Sequence, residues 1–265
     1  MATDGFALIT GASGGIGECF ARALAPRGRD LILVARSKGK MEALAREITS
    51  QNSRRVEVIA LDLSVPGAAR ELATTLTERG ITVDLLVNNA GFGAQGAFWR
   101  LPLDRQLAML QLNIVALTEL THRLLPAMLE RRRGGVINIS STASFQPIPY
   151  TGVYAATKAY VTSFAMALAE EAAEFGVHIM ALCPGGTATN FFAAGQFNEI
   201  RFPGGLQSPE EVVEVGLRAF ERRRSLCVTR FLNRLMVFSE RLAPRRLVAQ
   251  QAGKMFRPKG SQAGS

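Results

Sequence analysis

Tyr154 and Lys158 stand four residues apart in a segment with a helical pattern. Residues at this spacing share one face of a helix and lie about 6 Å apart along its axis. A nearby ammonium favours the phenolate form of a tyrosine, and it therefore lowers the pKa from its ordinary value of about 10. We therefore expect a phenol that gives and takes a proton near neutral pH. The alternative is a surface pair on an amphipathic helix.

A glycine-rich turn near the start of the chain indicates nucleotide binding. An apolar run at 6–9 leads through Thr10 into the glycines of residues 11–17, and a helical pattern follows. Glycines let the backbone approach a pyrophosphate, while the helix N-terminus offers free N–H groups and a positive dipole end. A tight strand-to-helix turn without a ligand is the competing interpretation, which the regular flanks make the weaker one.

The end of the second apolar run carries a basic residue. The second run, at 30–36, ends at Arg36 and Ser37, and no acidic residue stands there. In dinucleotide-binding folds an acidic residue near this place binds the ribose 2′-hydroxyl of NAD, whereas an arginine accommodates the 2′-phosphate of NADP. We therefore predict NADP(H). The alternative is that Arg36 only begins the solvated helix predicted over 38–51.

Apolar runs alternate with helical patterns along the chain. This alternation predicts the α/β fold class, with a single Rossmann-like, doubly wound parallel sheet of about seven strands and helices on both faces. The carboxyl ends of parallel strands share one edge, where ligands bind. A long helix is expected over 104–133, bent or interrupted at Pro126. The predicted strands cover 6–9, 30–36, 56–61, 83–87, 135–141, 177–183 and 225–228.

Two connections are candidates for substrate contact. The segment 92–99 combines glycines with Phe98 and Trp99, which either line a pocket or pack under the next helix. The segment 190–207 carries four phenylalanines, and a loop of this length inside a compact domain is usually a lid or a binding loop. Its apolar content suggests a lipophilic or mid-sized organic substrate.

The composition excludes several classes of protein. With 48% hydrophobic and 20% charged residues, the chain of 265 residues is globular rather than disordered. No apolar run reaches the length of about 18 residues that a membrane span needs, and the start lacks the basic region of a secretory signal. Three cysteines without metal spacing and two histidines predict a reduced, cytoplasmic protein with no metal site.

The basic charge is concentrated at the C-terminus. From Arg218 onward there are twelve Lys/Arg and two Asp/Glu, although the whole chain carries a net charge of +9. We expect a catalytic domain over 1–230 and a basic amphipathic helical extension over 231–265, packed on the same domain. Basic amphipathic helices also make weak peripheral contacts with anionic lipid. Packing over the substrate cleft or against a partner subunit is the favoured interpretation, because apolar stripes are ordinarily buried. No motif for reading nucleic acid is visible.

Taken together and in order, these motifs resemble the classical short-chain dehydrogenase/reductase family over about residues 5 to 230. The resemblance rests on motifs at successive strand ends: Thr10, Gly11, Ala12, Ser13, Gly14, Gly15, Ile16, Gly17, Asp62, Asn88, Asn89, Ala90, Gly91, Asn113, Ser141, Tyr154, Lys158, Pro184, Gly185 and Thr189.

The resemblance implies a set of contacts with NADP(H). The glycine turn would hold the pyrophosphate, and the basic end of the second strand would hold the 2′-phosphate. Later strand ends would line the adenine and the nicotinamide. The implied residues are Gly11, Ser13, Gly15, Ile16, Gly17, Arg36, Ser37, Asp62, Leu63, Asn89, Ala90, Gly91, Tyr154, Lys158, Pro184, Gly185, Thr187 and Thr189.

The resemblance also implies a reaction, in which hydride passes between NADPH and a ketone or aldehyde, or the corresponding alcohol. Tyr154 would act as general acid in reduction and as base in oxidation. Ser141 would hydrogen-bond the substrate oxygen, and Lys158 would hold the nicotinamide ribose and lower the pKa of Tyr154. Asn113 would anchor a water of a proton relay behind Lys158. Family members commonly form homodimers or homotetramers.

Two other functions are compatible with such a fold. One is an NADP(H)-binding sensor or scaffold without catalysis, which has no need of Ser141, Tyr154 and Lys158 together. The other is a dehydratase or epimerase that works by transient oxidation, whose known examples usually carry an additional substrate domain. The presence of all three polar residues favours the oxidoreductase.

Overall fold

The computed structural model describes residues 5–197, 200, 202 and 204–258. Its strands are β1 Phe6–Thr10, β2 Asp30–Ala35, β3 Val56–Ala60, β4 Val83–Asn88, β5 Gly135–Ile139, β6 His178–Cys183 and β7 Leu226–Val228. They form one seven-stranded sheet in the order β3-β2-β1-β4-β5-β6-β7. Every neighbouring pair is parallel. The predicted α/β fold class is confirmed.

Helices connect the strands and cover both faces of the sheet. They are α1 Gly15–Leu24, α2 Lys38–Asn52, α3 Ala68–Glu78, α4 Leu103–Leu110, α5 Leu117–Glu130, α6 Gly152–Ala173, α7 Phe191–Ala194, α8 Pro209–Glu221, α9 Phe231–Glu240 and α10 Arg245–Phe256. Short 3-10 turns cover Phe98–Arg100 and Thr142–Phe145.

The core lies on both faces of the sheet because successive strand residues point to opposite sides. Leu8 and Ile32 join a cluster that includes residues of α3, α5 and α6. Ile9 and Leu33 join a second cluster with residues of α1, α2 and α8. All four side chains are fully buried, and each contributes about 1.5–3 kcal/mol of hydrophobic stabilisation. The dense apolar runs of the sequence are therefore strands buried on both faces.

The predicted helix over 104–133 is interrupted, but not at Pro126. Pro126 lies inside α5, and the interruption is a π-helical stretch at Gln111–Ala116 between α4 and α5. A π turn inserts an extra residue into the helix and widens it, a feature common at functional sites. This stretch contains Asn113, whose side chain is buried. The widened turn therefore places a polar side chain inside the fold.

The predicted loop over 190–207 is only partly irregular. It begins with the single-turn helix α7, and Thr187 forms a parallel bridge with Gln207. Both ends of the segment are thus tied together beside the sheet, which keeps its aromatic residues near the C-terminal edge of the strands.

The C-terminal extension forms two helices, as expected. α10 packs on the body of the fold, because Ala252 lies in a buried cluster with Ala143, Ile148 and Ala155. The apolar stripe of α9 is exposed in the single chain, so it does not cover the substrate cleft, whereas its expected packing against a partner subunit is not tested by one chain. Val237 forms the buried side of this helix. The final residues of the extension, 259–265, lie outside the described residues, and the division at residue 230 stays a prediction.

Candidate active site

The C-terminal edge of the sheet brings the predicted motifs together. β1 ends at Thr10, directly before the glycine turn, and β4 ends at Asn88. β5 ends two residues before Ser141, and β6 ends at Cys183 before the segment 184–189. Because all these strands are parallel, their following residues lie along one edge.

Thr10 and Asn89 hold the glycine turn. The Thr10 hydroxyl accepts hydrogen bonds from the backbone N–H groups of Asn89 (3.0 Å) and Ala90 (2.9 Å). Asn89 Nδ2 in turn donates to the carbonyls of Thr10 (2.9 Å) and Gly11 (3.2 Å). A Cβ on Gly17 would collide with the Gly11 carbonyl and would lie 2.6 Å from Asn89 Nδ2. The family resemblance implies a cofactor contact for Asn89, but it implies no role of its own for Thr10.

The glycine turn has room for a pyrophosphate. A Cβ on Gly14 would meet no heavy atom within 4 Å, and no side chain caps the N-terminus of α1. The first N–H groups of that helix are therefore free of side-chain acceptors, which suits an anionic group. Ser13 and Ile16 flank this opening and are partly buried.

The residues at the end of β2 fit a 2′-phosphate. The Arg36 side chain is 77% exposed, and its Nη1 lies 3.8 Å from Asp62 Oδ2. Ser37 is exposed and its hydroxyl does not cap α2. Burial raises the pKa of Asp62, but hydrogen bonds from Ser64 outweigh it and hold that pKa below its usual value. The Leu63 side chain is buried in the core, which leaves its backbone for the expected adenine contact.

Ser141, Tyr154 and Lys158 lie together where β5 meets α6. The Lys158 ammonium is 5.9 Å from the centre of the Tyr154 ring and donates to the Ile139 carbonyl at 2.7 Å. The Ser141 side chain forms a hydrogen bond with Tyr154 and also accepts from Ala143 N at 3.1 Å. The helix spacing and the strand end thus place a phenol, a hydroxyl and an ammonium in one cluster.

The expectation that the ammonium lowers the pKa of Tyr154 is wrong for this arrangement. Burial raises the pKa of Tyr154 to about 12, although the hydrogen bond with Ser141 acts in the opposite direction. Burial also lowers the pKa of Lys158 to about 8. Both shifts have one cause, because a low-dielectric environment disfavours the charged form of either group. The lysine faces a carbonyl rather than the phenol oxygen.

Asn113 bridges the loop after β4 to α6. Its Oδ1 accepts from Phe92 N (3.2 Å), while its Nδ2 donates to Phe92 O (3.0 Å) and to Thr157 Oγ1 (3.0 Å). A Cβ on Gly91 would lie 3.0 Å from Asn113 Oδ1 and 3.6 Å from Lys158 Nζ. The asparagine therefore positions the segment beside Lys158, and its expected role in anchoring a water stays a prediction.

The segment 184–189 crosses the site between Ser141 and the glycine turn. The Pro184 carbonyl accepts from Thr142 N at 2.9 Å, and Thr187 Oγ1 donates to the Gly185 carbonyl at 3.0 Å. A Cβ on Gly15 would lie 3.0 Å from the methyl carbon of Thr189. The two ends of the segment thus reach the residues expected to hold the reacting group and the pyrophosphate.

An apolar cavity of about 470 Å³ opens beside Tyr154. Phe98 lines this cavity, which agrees with the interpretation that the segment 92–99 contributes to a pocket. Trp99 agrees with neither interpretation, because its side chain is 81% exposed. The other lining residues come from the loops around it: Ala94, Gly96, Leu101, Gln106, Met109, Pro149, Tyr150, Thr151, Gly152, Val153 and Ala156. The volume suits a mid-sized organic molecule.

The end of α10 is attached to the loops of this cavity. Gln95 Nε2 donates to the Phe256 carbonyl at 2.7 Å, and Gln95 stands between two lining residues, Ala94 and Gly96. A Cβ on Gly253 would lie 3.2 Å from Pro149, another lining residue. These contacts carry no signal in the sequence, because both join residues more than 100 positions apart.

Among the described residues there is no cluster of three or more metal-ligating side chains. The described cysteines, Cys19, Cys183 and Cys227, are all free thiols. No helix in the described ranges is long and apolar enough to cross a bilayer.

Residues 5–198 match the family model described as short chain dehydrogenase. The very-long-chain 3-oxoacyl-CoA reductase of Rattus norvegicus is 32% identical over 75% of this chain and 62% of its own length. The hydroxysteroid dehydrogenase-like protein 1 of Gallus gallus is 34% identical over 74% of this chain and 60% of its own length. The chain thus spans about 60% of the length of these curated relatives. A human relative is named inactive hydroxysteroid dehydrogenase-like protein 1. It is 32% identical over 72% of this chain and 58% of its own length.

Solved structures resemble almost the whole chain. A short-chain dehydrogenase from Sphingobium yanoikuyae in complex with NADPH has a TM-score of 0.81 at 28% identity and covers 98% of each chain. A bulky-bulky ketone specific alcohol dehydrogenase from Comamonas testosteroni has a TM-score of 0.78 at 28% identity, over 99% of this chain and 98% of its own.

Proposed function

The chain belongs to the short-chain dehydrogenase/reductase family, and from this premise we propose that it is an NADP(H)-dependent oxidoreductase of ketones or aldehydes and their alcohols. The observation that carries the proposal is the cluster of Ser141, Tyr154 and Lys158 beside a cavity, on the same sheet edge as the glycine turn. A protein that only binds the nucleotide needs the glycine turn alone.

NADP(H), when bound, donates or accepts the hydride at the carbonyl carbon. In reduction, the Tyr154 hydroxyl gives its proton to the substrate oxygen, and Ser141 donates a hydrogen bond to the same oxygen. The raised pKa keeps the phenol protonated near neutral pH, so the proton to be transferred is in place. The Lys158 ammonium, whose pKa is lowered to about 8, faces the Ile139 carbonyl, so the proton it returns to the phenolate would pass through an intervening hydroxyl or water, and solvent would reprotonate the lysine.

In this proposal, different residues bind the pyrophosphate, the 2′-phosphate and the nicotinamide of the cofactor. Gly11, Gly15 and Gly17 leave space for the pyrophosphate, and Arg36 with Ser37 binds the 2′-phosphate as a charge-assisted contact. The segment from Pro184 to Thr189 positions the nicotinamide. Support for NADP(H) comes from the exposed guanidinium of Arg36 and from the NADPH complex of the Sphingobium relative.

The substrate we propose is lipophilic. The cavity is lined mainly by apolar side chains, and Phe191 of α7 packs against the ring of Tyr154. Relatives named for 3-oxoacyl-CoA and for bulky ketones agree with this class. We also propose a cytoplasmic homodimer or homotetramer, with residues 1–230 as the catalytic domain.

The competing function is NADP(H) binding without catalysis. It is favoured by the human relative described as inactive. A test follows NADPH absorbance across ketones and aldehydes of increasing size, including 3-oxoacyl thioesters. Turnover of any member supports the proposal. Tight NADPH binding without turnover, on ketones or on alcohols with NADP, supports the non-catalytic protein.

A further inference from the structure

The outer face of α9 is a stripe of uncovered apolar side chains. Phe231, Leu235 and Phe238 follow one another at intervals of four and three residues and are 74%, 53% and 59% exposed. Leu242 continues the stripe in the next turn and is 75% exposed. The inner face of the helix is fixed to the fold by the buried side chain of Val237. Contiguous exposed apolar residues on a firmly attached helix mark an interaction surface.

Exposed arginines without ion pairs among the described residues lie at the C-terminal end of this stripe along the chain. Arg241, Arg245 and Arg246 are exposed, and none of them takes part in an ion pair within the described part of the chain. Between residues 230 and 258 there are seven Lys/Arg and one acidic residue. That residue, Glu240, is partly buried, and its Oε2 has no hydrogen-bond partner. The surface around the stripe is therefore strongly positive.

We propose that this basic apolar face, made of Phe231, Leu235, Phe238, Leu242, Arg241, Arg245 and Arg246, docks on an anionic lipid surface. Apolar side chains enter the interface while arginines contact lipid headgroups, which is the mode of interfacial amphipathic helices. A second copy of the chain fits this face less well. A two-fold contact would place this positive face against an identical positive face, where like charges repel.

The docking face is connected to the substrate cavity through α10. Ala252 packs with Ile148 and Ala155, and Gly253 approaches Pro149, which lines the cavity. A lipid surface bound at α9 would therefore lie next to the loops through which an apolar substrate enters. This consequence rests on the proposed function, whereas the docking itself does not.

The test is co-sedimentation of the full chain with vesicles, without substrate or cofactor. One vesicle is phosphatidylcholine alone, and the other is an equal mixture of phosphatidylcholine and phosphatidylglycerol. We expect binding to the anionic vesicle and its loss at high salt, because screening weakens charge contacts. The double variant Arg241→Glu/Arg245→Glu should bind at least about 25-fold more weakly, taking about fivefold for each basic residue. Phe238→Asp/Leu242→Asp should abolish binding.

Arg222→Glu is the matched control, because Arg222 is exposed directly after α8, which packs on the opposite face of the sheet from α9. It should bind vesicles as the unmodified chain does. Failure of the unmodified chain to sediment with anionic vesicles, or an equal loss in the Arg222 variant, would overturn the proposal. So would size-exclusion chromatography in which Phe238→Asp/Leu242→Asp dissociates an oligomer, because the face would then be a subunit contact. Since turnover is measured separately, either result leaves the proposed enzymatic function to its own test.

Discussion

The aromatic ring of Phe191 lies against that of Tyr154, with ring centroids 5.2 Å apart and planes tilted by 51°. Phe191 begins α7 and also packs on Phe192 and Phe197. The segment after β6 is therefore in direct contact with the proposed general acid. It lies next to the position proposed for the substrate carbonyl.

Phe191→Ala should weaken substrate binding more than chemistry. Removing an aromatic contact of this kind costs about 0.5–1.5 kcal/mol, so we expect KM for an apolar ketone to rise about 3- to 10-fold while kcat changes little. Phe192→Ala is the control, because Phe192 belongs to the same aromatic cluster but its described ring contacts are with Phe191, Phe197 and Phe202 and not with Tyr154. Equal KM values for both variants would show that the contact with Tyr154 has no special part in binding.

Arg36→Ala should separate the two nicotinamide cofactors. Loss of a charge-assisted contact with the 2′-phosphate should weaken NADPH binding about 10- to 100-fold and leave NADH nearly unchanged. Fluorescence titration measures both dissociation constants. Arg55→Ala serves as a control, because Arg55 pairs with Asp30 at the start of β2, away from the cofactor edge. Equal losses for NADPH and NADH would mean that Arg36 does not contact the phosphate.

The pH dependence of reduction should follow Lys158 rather than Tyr154. The pKa of Tyr154, about 12, keeps the phenol protonated over the usual assay range. Burial lowers the pKa of Lys158 to about 8, so below that pH its ammonium can supply the returning proton through an intervening hydroxyl or water, and it loses this ability as the pH rises through that value. We expect kcat for ketone reduction to fall above about pH 8 and to lose this inflection in Lys158→Arg, because a guanidinium does not titrate there. An unchanged inflection in that variant would exclude Lys158 as its source.

Asn113→Ala should destabilise the fold as well as the site. It removes three hydrogen bonds and leaves the backbone of Phe92 and the hydroxyl of Thr157 without this partner. We expect a loss of about 2–4 kcal/mol in the free energy of unfolding, measured by urea denaturation. The control is Asn52→Ala at the end of α2, whose side chain makes a single bond to Ile48 O. A loss no larger than that of the control would mean that the bridge contributes little.

The sheet and the position of the site could be predicted because both depend on local sequence. Dense apolar runs mark the strands, and parallel strands place Thr10, Asn88 and Ser141 on one edge whatever the helices do. Likewise, Tyr154 and Lys158 share a helix face by spacing alone.

Other features depend on packing between distant segments. The pKa of Tyr154 follows the desolvation of its side chain, which a four-residue spacing does not determine. The π-helical stretch at Asn113 replaces the interruption expected at Pro126, because the asparagine side chain bonds to Phe92 and Thr157. The stripe of α9 was expected to pack over the substrate cleft or against a partner subunit, and it does not cover the cleft. Periodicity identifies an apolar face but not what lies over it.

The most direct test of the central claim is Tyr154→Phe, which removes only the phenol oxygen. General acid catalysis contributes about 100- to 10,000-fold, so kcat for ketone reduction should fall by that factor while the dissociation constant of NADPH stays the same. Tyr160→Phe is the matched control on α6, because its exposed hydroxyl bonds to Thr118 outside the site. Single-turnover oxidation of NADPH at unchanged rate in Tyr154→Phe would contradict the assignment of the acid and with it the proposed mechanism.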